Sequence, residues 1–123
     1  MGDRTAWRIQ NAAGRGPYIP GFSHRWADVG RVPYPPWWEE LELTVNEAIV
    51  MLPHDTYTGC AFQSLDHLRR WFSRRELSKL GKLGFYAVCF NPDQIVAETP
   101  TQIVFANREP HHTLGPPAIR FAA

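Results

Sequence analysis

Residues 61–90, AFQSLDHLRRWFSRRELSKLGKLGFYAVCF, constrain the fold more than any other stretch of this chain. A short apolar run ends at Phe62. Ser64 follows as a candidate helix cap, because its hydroxyl can accept from the free N–H groups of a first turn. Leu65, Leu68, Trp71 and Phe72 then recur at helical spacing and form one apolar stripe. Ser73 to Glu76 reads S-x-x-E, a capping box that restarts the chain as a second helix. Leu77, Leu80 and Leu83 continue the stripe, and Gly84 suits a left-handed stop. FYAVCF reads as a buried strand. The pattern therefore predicts strand, helix, short helix, strand, with Leu65, Leu68, Phe72, Leu77, Leu80, Phe85 and Val88 in the core.

The flanking segments supply strands and loops. AWRIQ, 6–10, predicts a first strand with Trp7 and Ile9 on one face and Arg8 on the other. Arg8 has two readings: an edge or rim position, or a ligand anchor whose fork of donors suits a phosphate or a carbonyl. Residues 11–38 carry GRGPYIPGF and VPYPPWW, which break helix and strand alike. Tyr18, Phe22, Trp26, Tyr34, Trp37 and Trp38 make this loop aromatic, unlike a disordered linker, so it is expected to be ordered with its rings packed down. Gly14-Arg15-Gly16 is too short for a phosphate-binding fingerprint. Residues 37–52, WWEELELTVNEAIVML, predict one turn of helix and then strand-like segments. Further strands are expected at 58–62, 94–97 and 102–106, the last two joined by the turn ETPT. The tail is expected to wrap the surface. One block of helix among short strands predicts an α+β fold: a small, twisted, mainly antiparallel sheet with a helical pair on one face and a long ordered Pro/Gly/aromatic loop. A parallel α/β sheet would need alternating helices that the Pro-rich half cannot form. A length of 123 residues predicts a single domain over 1–123.

Several function classes lose ground at once. A net charge of +1 gives no bulk pull towards nucleic acid or membrane. No apolar run approaches the roughly 20 residues that span a bilayer. The first residues lack an apolar signal segment, and the two cysteines, Cys60 and Cys89, fall in strands expected to be buried and reduced, so a cytoplasmic protein is expected. There is no G-x-S-x-G, H-E-x-x-H, Walker loop or Cys-x-x-Cys. His111 and His112 are adjacent, which suits opposite faces better than one shared metal, and no metal is expected. His24, His54 and Asp55 fall in loops.

The strongest local charge signal is basic. Arg69, Arg70, Arg74, Arg75, Lys79 and Lys82 lie in the helical block, against a single acid, Glu76. Glu39, Glu40, Glu42 and Glu47 stand elsewhere in the chain. The basic set is either a solvated helix face or a surface for an acidic partner. Nucleic acid is the weaker partner, since a binder of that kind adds exposed aromatics and a clearly basic total charge.

Trp7-Arg8-Ile9 on a first strand, Phe62-Gln63-Ser64 between a strand and a helix, and Gln102-Ile103-Val104-Phe105 on a late strand follow one another in a recognisable order. This order is similar to the three-motif layout of small ADP-ribosyltransferase-like domains. The resemblance implies an NAD cleft in which Arg8 holds a ribose or phosphate and Ser64 lines the wall. It puts Gln102 where the family usually has a Glu, and implies that Tyr18 or Trp26 covers the nicotinamide. A Gln carbonyl accepts a hydrogen bond but has no charge to offset an oxocarbenium ion. As a whole the chain resembles small phage- or prophage-encoded proteins with GRGPY near the start and an F-x-S-L-x-x-L-x-x-W-F core, most of which have no assigned activity. The expectation is a phage-type accessory protein, without a cofactor, that binds a host or defence protein with an acidic surface and inhibits or modulates it. Arg69, Arg70, Arg74, Arg75 and Lys79 are its expected contacts. The alternative is an ADP-ribosyltransferase-like enzyme, or a degenerate NAD-binding domain, with Arg8, Ser64 and Gln102 at its site.

Overall fold

In the computed structural model, which describes residues 4–18, 22–28 and 52–121, the fold is α+β. Among the described residues six strands form two antiparallel three-stranded sheets, and two α-helices lie between the second and third strands in sequence. The strands are β1 (Ala6–Gln10), β2 (Tyr57–Ala61), β3 (Tyr86–Phe90), β4 (Gln94–Glu98), β5 (Ile103–Asn107) and β6 (Ile119–Arg120). The helices are α1 (Leu65–Trp71) and α2 (Arg74–Lys82). One sheet has the order β1-β3-β6 and the other β2-β5-β4. A bridge joins them: Trp7 N–H donates to the Phe62 carbonyl at 2.8 Å, and Phe62 N–H returns a bond to the Trp7 carbonyl at 2.7 Å. Through that bridge the strands run β4-β5-β2-β1-β3-β6. β1 is therefore central, between β3 and the end of β2.

The helical block forms for the local reasons the sequence suggests. Ser64 caps α1, its hydroxyl accepting from His67 N–H at 3.2 Å. At α2 the capping box closes both ways: Ser73 Oγ accepts from Glu76 N–H at 3.0 Å, and Glu76 Oε1 accepts from Ser73 N–H at 2.9 Å. These bonds satisfy donors that a helix start otherwise leaves unpaired. Gly84 has φ +93°, the left-handed stop. The β4–β5 hairpin turns where ETPT predicts, with Thr99 N–H donating to the Gln102 carbonyl at 2.8 Å.

Two apolar clusters lie on the two faces of β1. Ile9, Phe62, Leu68, Trp71, Phe72, Leu77, Leu80, Phe85 and Ala87 join the helices to one face, with fully buried Trp26 sealing the cluster. Ala6, Ala61, Val88, Phe90, Ile103 and Phe105 fill the other. Of the seven residues expected in the core, six are buried, and Leu65 is partly buried against the same cluster. The aromatic loop is packed down at Phe22 and Trp26, whereas Tyr18 stays 55% exposed. Trp26 Nε1 donates to the Pro17 carbonyl at 3.1 Å, so its one polar atom is satisfied.

Three expectations need correction. Arg8 is no rim residue: it is 9% exposed on a central strand. Cys89 is exposed rather than buried, because the helices cover this face of β3 at Ala87 but not at Cys89, whose partner Trp7 is itself only half-buried. Cys60 is partly buried, and both thiols are free. The tail is also more than a surface wrap: β6 adds a strand to β3, and Leu114, Ile119 and Phe121 pack on the two clusters. Tyr34, Trp37, Trp38, the glutamates at 39, 40, 42 and 47, and the elements expected over 37–51 lie outside the described residues.

Candidate functional site

The basic helical face is built by amphipathic spacing. α1 and α2 bury Leu68, Trp71, Leu77 and Leu80, and their opposite faces carry Arg69, Arg70, Arg74, Arg75 and Lys82 into solvent. Glu76, the acid of this stretch, is only 1% exposed. Its second oxygen, Oε2, accepts from Asp28 N–H at 2.9 Å, so its charge ties the loop to the helix and is absent from the surface. Among the described residues, Arg69, Arg70, Arg74 and Arg75 form no ion pair, while Lys79 stands 3.9 Å from Asp28. Nothing among the described residues compensates these four guanidinium groups on the exposed face.

This face is not flat. Arg69, Phe72, Arg74, Leu77, Ser78 and Phe121 line a concavity of about 530 Å³. Arginines stand on its rim, and apolar side chains from α2, the α1–α2 link and the chain's tail form its floor. The tail reaches α2 at Gly81. A Cβ there would collide with the Phe121 carbonyl, so the approach needs a residue without a side chain.

Of the three residues of the transferase-like motifs, Arg8 lies on β1, Ser64 follows β2 as the cap of α1, and Gln102 immediately precedes β5, so the strands beside them are neighbours. Ser64 and Gln102 lie at one end of that trio. Gln63 Nε2 donates to the Thr99 carbonyl at 3.5 Å, and Thr99 brackets Gln102 by accepting its N–H at 3.0 Å. Gln102 is 4% exposed. The Arg8 guanidinium points elsewhere: Nη1 donates to the Cys60 carbonyl at 2.8 Å, and the group stands 5.7 Å from the Phe105 ring centre. Pleat alternation puts Phe105 and Ile103 on the Arg8 side of the sheet and Gln102 on the other, with Phe62. Tyr18 lies on the Phe62 side. Its hydroxyl accepts from Trp71 Nε1 at 2.7 Å, and its ring meets Trp26 edge-on at 5.3 Å.

Arg8 and His111 make a second polar cluster that sequence inspection did not connect. Gly59 leaves the room they fill, since a Cβ there would lie 2.9 Å from Arg8 Nη1 and 2.8 Å from His111 Cε1. Gln10 Nε2 fastens the segment by donating to the His111 carbonyl at 2.9 Å. Desolvation pushes the Arg8 pKa down to about 10, which still leaves the guanidinium charged at neutral pH. Burial, and then the Arg8 charge, push His111 down to about 4. Burial pushes the Cys60 thiol up to about 12, the opposite of what a nucleophile needs. Among the described residues no group of three His, Cys, Asp or Glu could hold a metal, and no helix is long and apolar enough to cross a membrane.

Comparison with known proteins finds no curated protein and no solved structure that matches. A family model does match, over residues 4–113, and its description is Bacteriophage T4 Y00F protein. That span covers every described strand and helix except β6, including the basic face and both polar clusters. The chain belongs to this bacteriophage protein family.

Proposed function

We propose that this phage accessory protein works by binding, and that its basic helical face engages an acidic surface on a host or defence protein. One observation carries the reading: Arg69, Arg70, Arg74 and Arg75 are exposed with no ion pair among the described residues, and two of them rim a groove with an apolar floor. Exposed arginines without partners cost little to keep and speed encounter with an acidic partner. Arginine over apolar surface also suits an interface, because the guanidinium is weakly hydrated and binds carboxylates two-pronged. A protein partner fits better than nucleic acid. The exposed large hydrophobic residues among the described ones are Tyr18 and Tyr57, and neither lines the groove, so the described residues offer no exposed platform there for stacking bases. The test is affinity capture from lysate of the phage's host, comparing the natural chain with the double variant Arg70→Glu, Arg74→Glu. Loss of specific partners from a variant that still folds supports the reading, and unchanged capture removes it.

A second reading, an NAD-binding or ADP-ribosyltransferase-like domain, draws on the adjacency of the strands beside Arg8, Ser64 and Gln102 and on a buried Arg8 with no carboxylate partner among the described residues, against the placement of Arg8 and Gln102 on opposite sides of the sheet. Calorimetric titration with NAD tests it on the natural chain and on Gln102→Glu, which restores the missing charge. Absence of heat with both ends this reading.

A further inference from the structure

We infer that the groove between the helices and the tail accepts a short, extended acidic segment of a partner protein carrying one bulky apolar side chain. This rests on the binding reading above and names the occupant of its surface.

Shape, charge and composition support that choice. A volume of about 530 Å³ falls in the range that encloses a few side chains and is too small for a folded surface to enter. The floor, where half-buried Phe121 meets the edges of nearly buried Phe72 and Leu77, offers a small apolar area that a purely acidic strand would leave unused. The rim arginines, Arg69 and Arg74, come from opposite sides of the α1–α2 link. Carboxylates flanking a central apolar residue can therefore reach both while that residue sits between them. A helix of about 10 Å diameter would fill a space of about 530 Å³ within roughly one turn, whereas an extended segment can seat a few side chains in it. Phe121 is held as a wall by the close approach at Gly81, so the groove is already formed.

The experiment is a fluorescence-anisotropy titration with labelled acidic octapeptides alike except at the centre, which is Leu, Phe, Trp or Gly. A single-stranded dT oligonucleotide of matched charge is the comparison. Peptides with an apolar centre should bind about tenfold or more tighter than the Gly peptide, the gain expected from burying one large side chain. Arg69→Glu with Arg74→Glu should abolish binding. Ser78→Trp, which fills the groove without removing an arginine, should remove the advantage of the apolar centre. Phe121→Ala should do the same wherever that variant still unfolds cooperatively. The inference is overturned if the central residue makes no difference, if Ser78→Trp binds like the natural chain, if no peptide binds, or if the oligonucleotide binds as tightly as the best peptide. Loss of host partners in Arg70→Glu, Arg74→Glu, alongside any of those results, would leave the charged-face reading standing and the groove inference fallen.

Discussion

Arginine occurs in two opposite settings in this protein. On α1 and α2 four guanidinium groups stand in water with no ion pair among the described residues, whereas on β1 a single one, Arg8, is 9% exposed and bonded to the Cys60 carbonyl. The first setting costs the fold almost nothing and is free to act on another molecule. The second takes a charge out of water and must be held by its surroundings. Residue type alone does not separate an arginine that braces a sheet from one left in solvent. The difference lies in which strands lie beside it.

The largest effects should fall on the buried side of this comparison. Leu68→Ala should cost about 2–5 kcal/mol in denaturant unfolding, since Leu68 is completely buried where α1 meets the core. Arg8→Ala should cost a similar amount, about 2–5 kcal/mol, from the space left and the unpaired Cys60 carbonyl. Arg8→Met should lose clearly less, because its apolar chain refills part of the space and no charge remains to bury. Equal losses for Met and Ala would mean that the guanidinium's own bonds, rather than its volume, hold the niche.

A smaller effect belongs to the helix start. Ser73→Ala removes one half of the capping box and should cost about 1 kcal/mol, read as a fall in the unfolding midpoint at unchanged slope.

These two regions also differ in how readable they are from residues alone. The caps at Ser64 and Ser73 and the stop at Gly84 are local, made between residues three or four apart, and the sequence pattern predicts them correctly. Four of the expected core positions, Leu68, Phe72, Leu77 and Leu80, are buried for a related reason, because one stripe per helix can face only one way. The setting of Arg8 is not local. It depends on β3 pairing with β1 and on the Trp7–Phe62 bridge, contacts more than fifty residues apart in the chain. The groove is hidden in the same way, since its floor needs Phe121 laid against α2 at Gly81. A glycine inside a helical pattern was the available signal of that close approach. Glu76 shows the same limit: its place in the capping box is legible, but its second bond, to Asp28, comes from the distant loop.

The buried cluster should also respond to acid. His111 has a pKa near 4 in the fold against an ordinary 6.5. Between those values the unfolded chain carries a proton that the folded chain does not, so stability rises with pH across that window and is flat above it. Unfolding measured from pH 7 down to 4 should show stability falling through the window, with a shallower fall in His111→Gln. The effect is small, because His111 is only half-buried and water screens part of the Arg8 charge.

The exposed side should show almost no stability effect and a large effect on binding. Arg70 and Arg74 are exposed, and Arg74 opens α2, where a Glu would meet the positive end of the helix. The most direct measurement takes Arg70→Glu, Arg74→Glu through thermal unfolding and host-lysate capture together. The account predicts a melting temperature within a few degrees of the natural chain, as for surface changes of about 0.5 kcal/mol, and loss of the partners the natural chain retains. An unchanged set of partners on a normally folded variant would contradict it.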